Sequence, residues 1–220
     1  YGPGDIDGII VATTTPDHTF PSVAVDVQAD LGIAPVCAFD VQAVCTGFIY
    51  ALSVADALLR TGAQRRILVI GAETMSALLD WRDRTTCVLF GDGAGAVVLA
   101  KNESDDDRGI VSTHLYADGN YKDLLYTDGG ASSGNMCGTI RMQGREVFKH
   151  AVALMSDIVA EVTEANNIVG ADIDWLVPHQ ANIRIIEATA NKLDMDMGRV
   201  IVTVARHGNT SAASIPLALD

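Results

Sequence analysis

Short apolar runs alternate with stretches whose apolar positions recur at helical spacing along all 220 residues. GIIVATTT (8–15) is β-branched and compact and reads as a buried strand, and CAFDV (37–41) reads as another. Between them, PSVAVDVQADL (21–31) opens on proline, carries a helical apolar spacing and stops at Gly32. From Thr46 to Arg60 apolar side chains lie almost all round a predicted helix that Gly62 ends, and a helix that apolar belongs in an interior. RRILVIGAE (65–73) and TCVLFGDGAGAVVLAK (86–101) read as strands, the latter as a pair joined by a tight hairpin at GDGAG. NESDDDRG (102–109) is the most charged stretch and reads as a solvated connection, with Asp105, Asp106 and Asp107 in water. A strand (110–116), a Gly/Ser/Asn-rich loop (128–138) and a long helix from Gly144 to Asn167 are predicted beyond it. The alternation implies sheets covered by helices, an α/β class.

An internal repeat organises these elements. DIDGIIVATT (5–14) resembles DIDWLVPHQA (172–181): Asp-Ile-Asp, a strand, then a polar turn. Each copy continues with an amphipathic helix (21–31; 182–193), a second strand (37–41; 200–205) and a polar turn into an apolar helix. That turn is QAVCTGF in the first copy and RHGNTSA in the second, which sets Cys45 and Asn209 at equivalent strand-to-helix turns. His179 stands where the first strand of the second copy ends. Two halves, 1–104 and 105–220, are expected to pack about a pseudo-twofold axis with these three residues converging near it.

Charge and composition narrow the function. A formal net charge of −13 argues against nucleic acid as a partner. No apolar run approaches the ~18 residues of a membrane span, YGPGDIDGII shows neither a basic nor an apolar leader region, and the cysteines fit a cytoplasmic compartment. Cys37, Cys45, Cys87 and Cys137 show no CxxC spacing and read as small, buried, reduced residues, with no structural zinc site among them. GDGAG precedes a strand where a dinucleotide-binding loop needs a helix.

The candidate chemistry is acyl transfer. A cysteine at a helix N-terminus meets unpaired N–H groups and the positive end of the helix dipole, which favour thiolate and lower its pKa. Cys45 occupies such a turn, and the small neighbours Thr46 and Gly47 leave room for a substrate. His179 follows a strand and a proline, and Asn209 precedes a helix; together they supply two hydrogen-bond donors to a nucleophile. His207, in the same RHGN turn, reads as support for it.

VCTGFIYALSVADALL, FGDGAGAVVL, GREVFK, LVPHQANIRII and RHGNTSAASIPLAL together resemble the β-ketoacyl-acyl-carrier-protein synthase III family across essentially the whole chain. The resemblance implies a thiolase-like fold of two pseudo-duplicated βαβαβ halves, layered α-β-α-β-α, and a homodimer. It implies that Cys45, His179 and Asn209 are catalytic, that acyl-CoA is the substrate with no metal or redox cofactor, and that malonyl-acyl-carrier-protein is the second partner. Phe20 would close the partner's acyl pocket, Phe90 and Met142 would line the pocket, and Arg84 would hold the CoA nucleotide end. Gly144 and Ala181 would flank the pantetheine arm. Arg145 departs from the small polar residue that many relatives carry. Arg145, Lys149, Arg184 and Lys192 would meet the acidic carrier protein, Arg184 foremost, with Arg141 beside them and only Glu146 opposing the 141–149 group.

The resemblance also implies that segments preceding and following these residues, including a C-terminal oxyanion loop, are missing. Two rival readings are another Cys-His-Asn condensing enzyme of specialised metabolism, and a non-catalytic acyl-binding fragment.

Overall fold

The structure, a computed structural model, describes residues 1–104, 108–134 and 137–220. The element order is β1 (Gly8–Ala12), α1 (Val23–Asp30), β2 (Cys37–Val41), α2 (Gly47–Arg60), β3 (Arg66–Thr74), β4 (Asp92–Ala100), β5 (Leu125–Thr127) and β6 (Ile140–Met142). The helices α3 (Gly144–Ala165), α4 (Ile183–Lys192), α5 (Val204–His207) and α6 (Ser214–Leu219) follow. The chain forms two units: Tyr1–Glu73 with Gly93–Thr113 and Ser211–Asp220, and Thr74–Asp92 with His114–Thr210. Both are assembled from separated segments, so they cross the 104/105 boundary expected between halves.

In the first unit the strand order is β2-β1-β3-β4. β1 pairs parallel with both neighbours, from Gly8↔Cys37 to Ala12↔Val41 on one side and from Gly8↔Ile67 to Ala12↔Gly71 on the other. A parallel strand in that position is covered on both faces, which is why GIIVA is apolar without alternation and buried throughout. Successive side chains serve opposite faces. Ile10 and Ala12 pack with Ile67 and Val69 against Phe48, Ala51, Ala55 and Leu59 of α2. Ile9 and Val11 pack on the other side with Ala24 of α1 and Ile33.

Local polar contacts set the ends of these helices. The N-terminal N–H groups of α1 lack intrahelical partners, and Asp40 of β2 accepts from Val23 at 2.8 Å and Ala24 at 2.9 Å. α2 ends as predicted: Gly62 takes φ 75° and its N–H donates to the Leu59 carbonyl at 3.1 Å.

In the second unit β5 and β6 form an antiparallel pair that no apolar run announces. The amphipathic α4 buries Ile186 and Ala190 with Leu193, Met195 and Val200. Asn182 caps it, its side chain accepting from the Arg184 N–H at 2.8 Å. α3 confirms the long helix predicted from Gly144, ending at Ala165.

Four sequence expectations are corrected. GDGAG is no hairpin: β4 runs straight through it from Asp92, and residues 86–89 are turns, with the Asp83 carboxylate accepting from the Thr85 N–H and hydroxyl. Residues 110–116 form no strand; side chains replace a ladder, Arg60 donating to the Ile110 carbonyl while His114 and Tyr116 bond Glu161 of α3. The strand expected at 200–205 shrinks to a single parallel bridge, Leu176↔Val200, with α5 starting at Val204. Cys37 and Cys137 are exposed rather than buried, Cys37 because it opens an edge strand, though all four cysteines are free. The Asp105-Asp106-Asp107 stretch lies outside the described residues.

Phe48 is fully buried at the centre of the α2–sheet contact. Phe48→Ala is expected to cost about 3–5 kcal/mol, read as a lower urea midpoint with unchanged slope.

Candidate active site

Cys45 lies in a one-turn helix, Val44–Thr46, that hands the chain from β2 to α2. Val44 takes φ 49°, an uncommon conformation for a β-branched residue, so the turn is sharp and strained immediately before Cys45. Ser211 also takes φ 49° and opens the one-turn helix Ser211–Ala213 that leads into α6. Asp5 and Asp172, which begin the two repeats, each accept a hydrogen bond from the N–H three residues back, at 2.9 Å. Asp5 to Val44 spans as many residues as Asp172 to Ser211. The structural counterpart of Cys45 is therefore Ala212, not Asn209 as the sequence repeat suggested.

The two one-turn helices pack together in the first unit. Ser211 donates to Glu73 Oε1 at 3.0 Å, and Glu73 Oε2 accepts from the Thr14 N–H at 3.0 Å and the Thr15 hydroxyl at 2.7 Å. Glu73, at the end of an apolar strand, is only 3% exposed. The thiol of Cys45 departs from the expected low pKa. Burial pushes it up to about 11, the Ser211 hydroxyl and its own backbone N–H pull it down, and the charge of Glu73 raises it again. Desolvation outweighs the field of the helix end, so Cys45 rests as a thiol at neutral pH.

The second unit holds His179 and Asn209. Burial draws the His179 imidazole from 6.5 down to about 4, leaving it neutral at pH 7. Its neighbour Gln180, 1% exposed, fixes the segment: Nε2 donates to the Pro178 carbonyl at 2.9 Å and the Ile201 carbonyl at 3.0 Å, and Oε1 accepts from the N–H groups of Thr203 at 2.7 Å and Val204 at 3.1 Å. One amide side chain thus takes the bonds that a strand ladder at 200–205 would have made. Asn209 is held by main-chain bonds: its N–H donates to the Leu89 carbonyl at 2.8 Å and its carbonyl accepts from the Gly91 N–H at 3.0 Å. Glycine is required on both sides of that contact. A Cβ on Gly91 would lie 2.3 Å from the His207 carbonyl oxygen, and Gly208 takes φ 67°, where a Cβ would stand only 3.1 Å from the Leu89 oxygen.

Phe90 bridges Asn209 in the β sense and packs with Met142 against Met75, Leu78 and Ile140. Gly144, the first residue of α3, would place a Cβ 3.3 Å from Met142 Cε, so Phe90, Met142 and Gly144 form one neighbourhood of the second unit. Ala181 is half-buried in the turn between His179 and α4. Arg84 is exposed, with no ion pair recorded among the described residues, and Phe20 of the first unit is 82% exposed.

Residues 39–119 match the family described as 3-oxoacyl-[acyl-carrier-protein (ACP)] synthase III, and residues 163–220 match its C-terminal counterpart. A relative from Sphingopyxis alaskensis named beta-ketoacyl-[acyl-carrier-protein] synthase III is 61% identical over 218 residues, covering 99% of this chain and 68% of the relative. The chain belongs to the β-ketoacyl-acyl-carrier-protein synthase III family. Another synthase III, from Rhodospirillum centenum, is 61% identical over 217 residues, covering 98% of this chain and 67% of its own length. The crystal structure of 3-oxoacyl-[acyl-carrier-protein] synthase III from Aquifex aeolicus VF5 superposes with a TM-score of 0.92 at 49% identity, over 99% of this chain and 68% of that one. The α/β fold is accordingly the thiolase-like fold of the synthase III family.

Within this synthase III chain the basic residues are less free than their number suggests. Lys149 pairs with Glu146 at 2.9 Å and Arg141 with Asp128 at 2.6 Å. Arg184 stacks its guanidinium 5.0 Å from the centre of the Phe148 ring, joining α4 to α3. Arg145 and Lys192 are exposed and enter no ion pair recorded among the described residues. Sequence reasoning missed Glu73, Ser211 and Gln180. The available signals were an acidic residue closing the apolar run RRILVIGAE and two polar residues inside motifs already singled out, HQAN and GNTSAAS.

Two outcomes follow from this geometry. The folded imidazole of His179 titrates below its unfolded value, so the unfolded chain takes up the proton first. Its contribution to stability is full above pH 6.5 and is lost as pH falls toward 4. An NMR titration should show one of the five histidine ring signals unmoved until below pH 5. Gln180→Ala strands the buried Thr203 N–H and should destabilise by about 2–4 kcal/mol in urea unfolding.

Proposed function

We propose that the chain catalyses decarboxylative condensation of an acyl-CoA primer, acetyl-CoA foremost, with malonyl-acyl-carrier-protein. The products are 3-oxoacyl-acyl-carrier-protein, carbon dioxide and CoA, and the step initiates type II fatty-acid synthesis. The observation that carries this reading is 61% identity to a synthase III across 99% of the chain.

In this reading Cys45, His179 and Asn209 are the catalytic residues. The Cys45 sulfur attacks the primer thioester, CoA leaves, and an acyl-enzyme remains. The backbone N–H of Cys45 steadies the oxyanion of that step. Malonyl-acyl-carrier-protein then loses carbon dioxide, and its enolate attacks the acyl carbonyl, returning the Cys45 thiolate. His179 and Asn209 donate to the malonyl thioester oxygen as negative charge develops there. The neutral imidazole of His179 supports this role, since a neutral ring carries one N–H donor.

The remaining assignments complete the proposal. Phe90 and Met142 line the acyl pocket, with Phe20 closing the pocket of the second protomer in a homodimer. The position of β2 at the sheet edge supports pairing between copies. Gly144 and Ala181 flank the pantetheine arm and Arg84 holds the CoA nucleotide end. Arg184, Arg145 and Lys192 receive the carrier protein, with Lys149 contributing through its pair with Glu146. The reaction takes acyl-CoA as substrate, needs no metal or redox cofactor, and runs in the cytoplasm; no described helix is long and apolar enough to cross a membrane.

Intact-mass measurement after incubation with acetyl-CoA tests the reading. One acetyl adduct is expected on the wild-type chain and none on Cys45→Ala. On His179→Ala and Asn209→Ala the adduct should still form, while its clearance by malonyl-acyl-carrier-protein slows by about 10²–10³-fold. An adduct that persists on Cys45→Ala, or none on folded wild-type protein, would overturn it.

A further inference from the structure

Ser211 has one hydroxyl hydrogen, and both Glu73 and Cys45 stand where they can take it. Glu73 accepts it at 3.0 Å, and a carboxylate can only accept. The Cys45 side chain is the other hydrogen-bond neighbour of the Ser211 hydroxyl, and as a thiolate it too could only accept. While Glu73 holds the hydrogen, the Ser211 oxygen meets the sulfur with its lone pairs and can only receive the S–H. The geometry leaves little freedom to evade this competition. Ser211 is fully buried at a strained turn with φ 49°, and Glu73 is anchored by two further donors, the Thr14 N–H and the Thr15 hydroxyl.

We propose that Glu73 and Ser211 are positioning residues that hold Cys45 as an aimed, protonated thiol by competing with its thiolate for the single Ser211 hydrogen. When the Cys45 S–H proton leaves to solvent, the Ser211 hydroxyl turns its hydrogen bond from Glu73 to the sulfur, and that bond stabilises the thiolate. The pair acts on Cys45 from the strand end of β3 and from the turn before α6, and Glu73 is the ionisable group whose charge is felt at the sulfur. The consequence for catalysis rests on the reading of Cys45 as the nucleophile, whereas the competition itself does not.

The test is alkylation of Cys45 by iodoacetamide across pH 6–10, followed by peptide mass spectrometry that separates the four cysteines. It needs no condensing activity. Glu73→Gln keeps the side-chain shape, removes the charge and frees the Ser211 hydrogen, so the profile should move to lower pH, with alkylation at pH 8 faster by about tenfold. Ser211→Ala removes the donor to the thiolate and should move the profile to higher pH, slowing alkylation at pH 8. The half-buried Cys87 serves as the internal control, since general loosening would accelerate both sites. Opposite shifts at Cys45 with Cys87 constant support the proposal. An unmoved profile in either variant, or shifts of the same sign, overturns it, and Ser211→Ala decides alone where Glu73→Gln does not fold. Opposite shifts in a chain that forms no acetyl adduct would leave the pair standing and remove the condensing function.

Discussion

The contact between α2 and the face of β1 and β3 governs where the Cys45 sulfur sits. Phe48, Ala51, Ala55 and Leu59 present one stripe to Ile10, Ala12, Ile67 and Val69. Alanine at two of the four positions brings helix and sheet close, and Gly47 extends the close approach to the helix start, where a Cβ would stand 3.2 Å from Ala12 Cβ. With the helix axis fixed this near the sheet, the chain leaving β2 has only residues 42–46 in which to reverse into α2. The left-handed backbone of Val44 is the cost of that reversal, and tertiary packing of the apolar stripe sustains it. Cys45, the proposed nucleophile, is therefore placed by a hydrophobic interface.

The second unit solves a similar problem by polar means. Where β1 and β2 share five paired positions, Leu176 and Val200 share one, and the Gln180 amide supplies the remaining backbone partners. This substitution explains where reading the sequence succeeded and where it failed. β1, β2, α2 and α3 were legible because their signal is periodic apolar side chains bounded by breakers. The stretches 86–90, 110–116 and 200–205 carry equally apolar residues, yet 86–90 closes into turns on the Asp83 and Thr86 carbonyls, while the Arg60 and Gln180 side chains bond the main chain of the other two, contacts that leave no trace in a hydropathy pattern. Cys45, His179 and Asn209 were legible through motif resemblance. Glu73 and Ser211 were not, because a lone carboxylate and a lone hydroxyl acquire meaning only when folding brings together residues far apart in the chain.

Electrostatics distinguish the local environments from the whole. The protein carries a formal charge of −13, but the groups proposed for chemistry rest uncharged: Cys45 as thiol and His179 as neutral imidazole. Desolvation sets both states, and it acts in the same direction on each, against charge. The cations nearby are partly spoken for by Glu146 and Asp128, which leaves Arg145, Arg184 and Lys192 as the positive surface of α3 and α4.

The attachment of Asn209 has a consequence for how such a protein can diversify. Its backbone is tied to Leu89 and Gly91, the residues on either side of Phe90, and both bonds are main-chain to main-chain. The side chain at position 90 answers to its apolar neighbours Met75, Leu78 and Ile140, and none of the bonds that hold Asn209 in register passes through it. Under the roles proposed for Phe90 and Asn209, demands on acyl-chain selectivity and on the reacting groups fall on different atoms of the same few residues, so the first can drift under selection without dragging the second along.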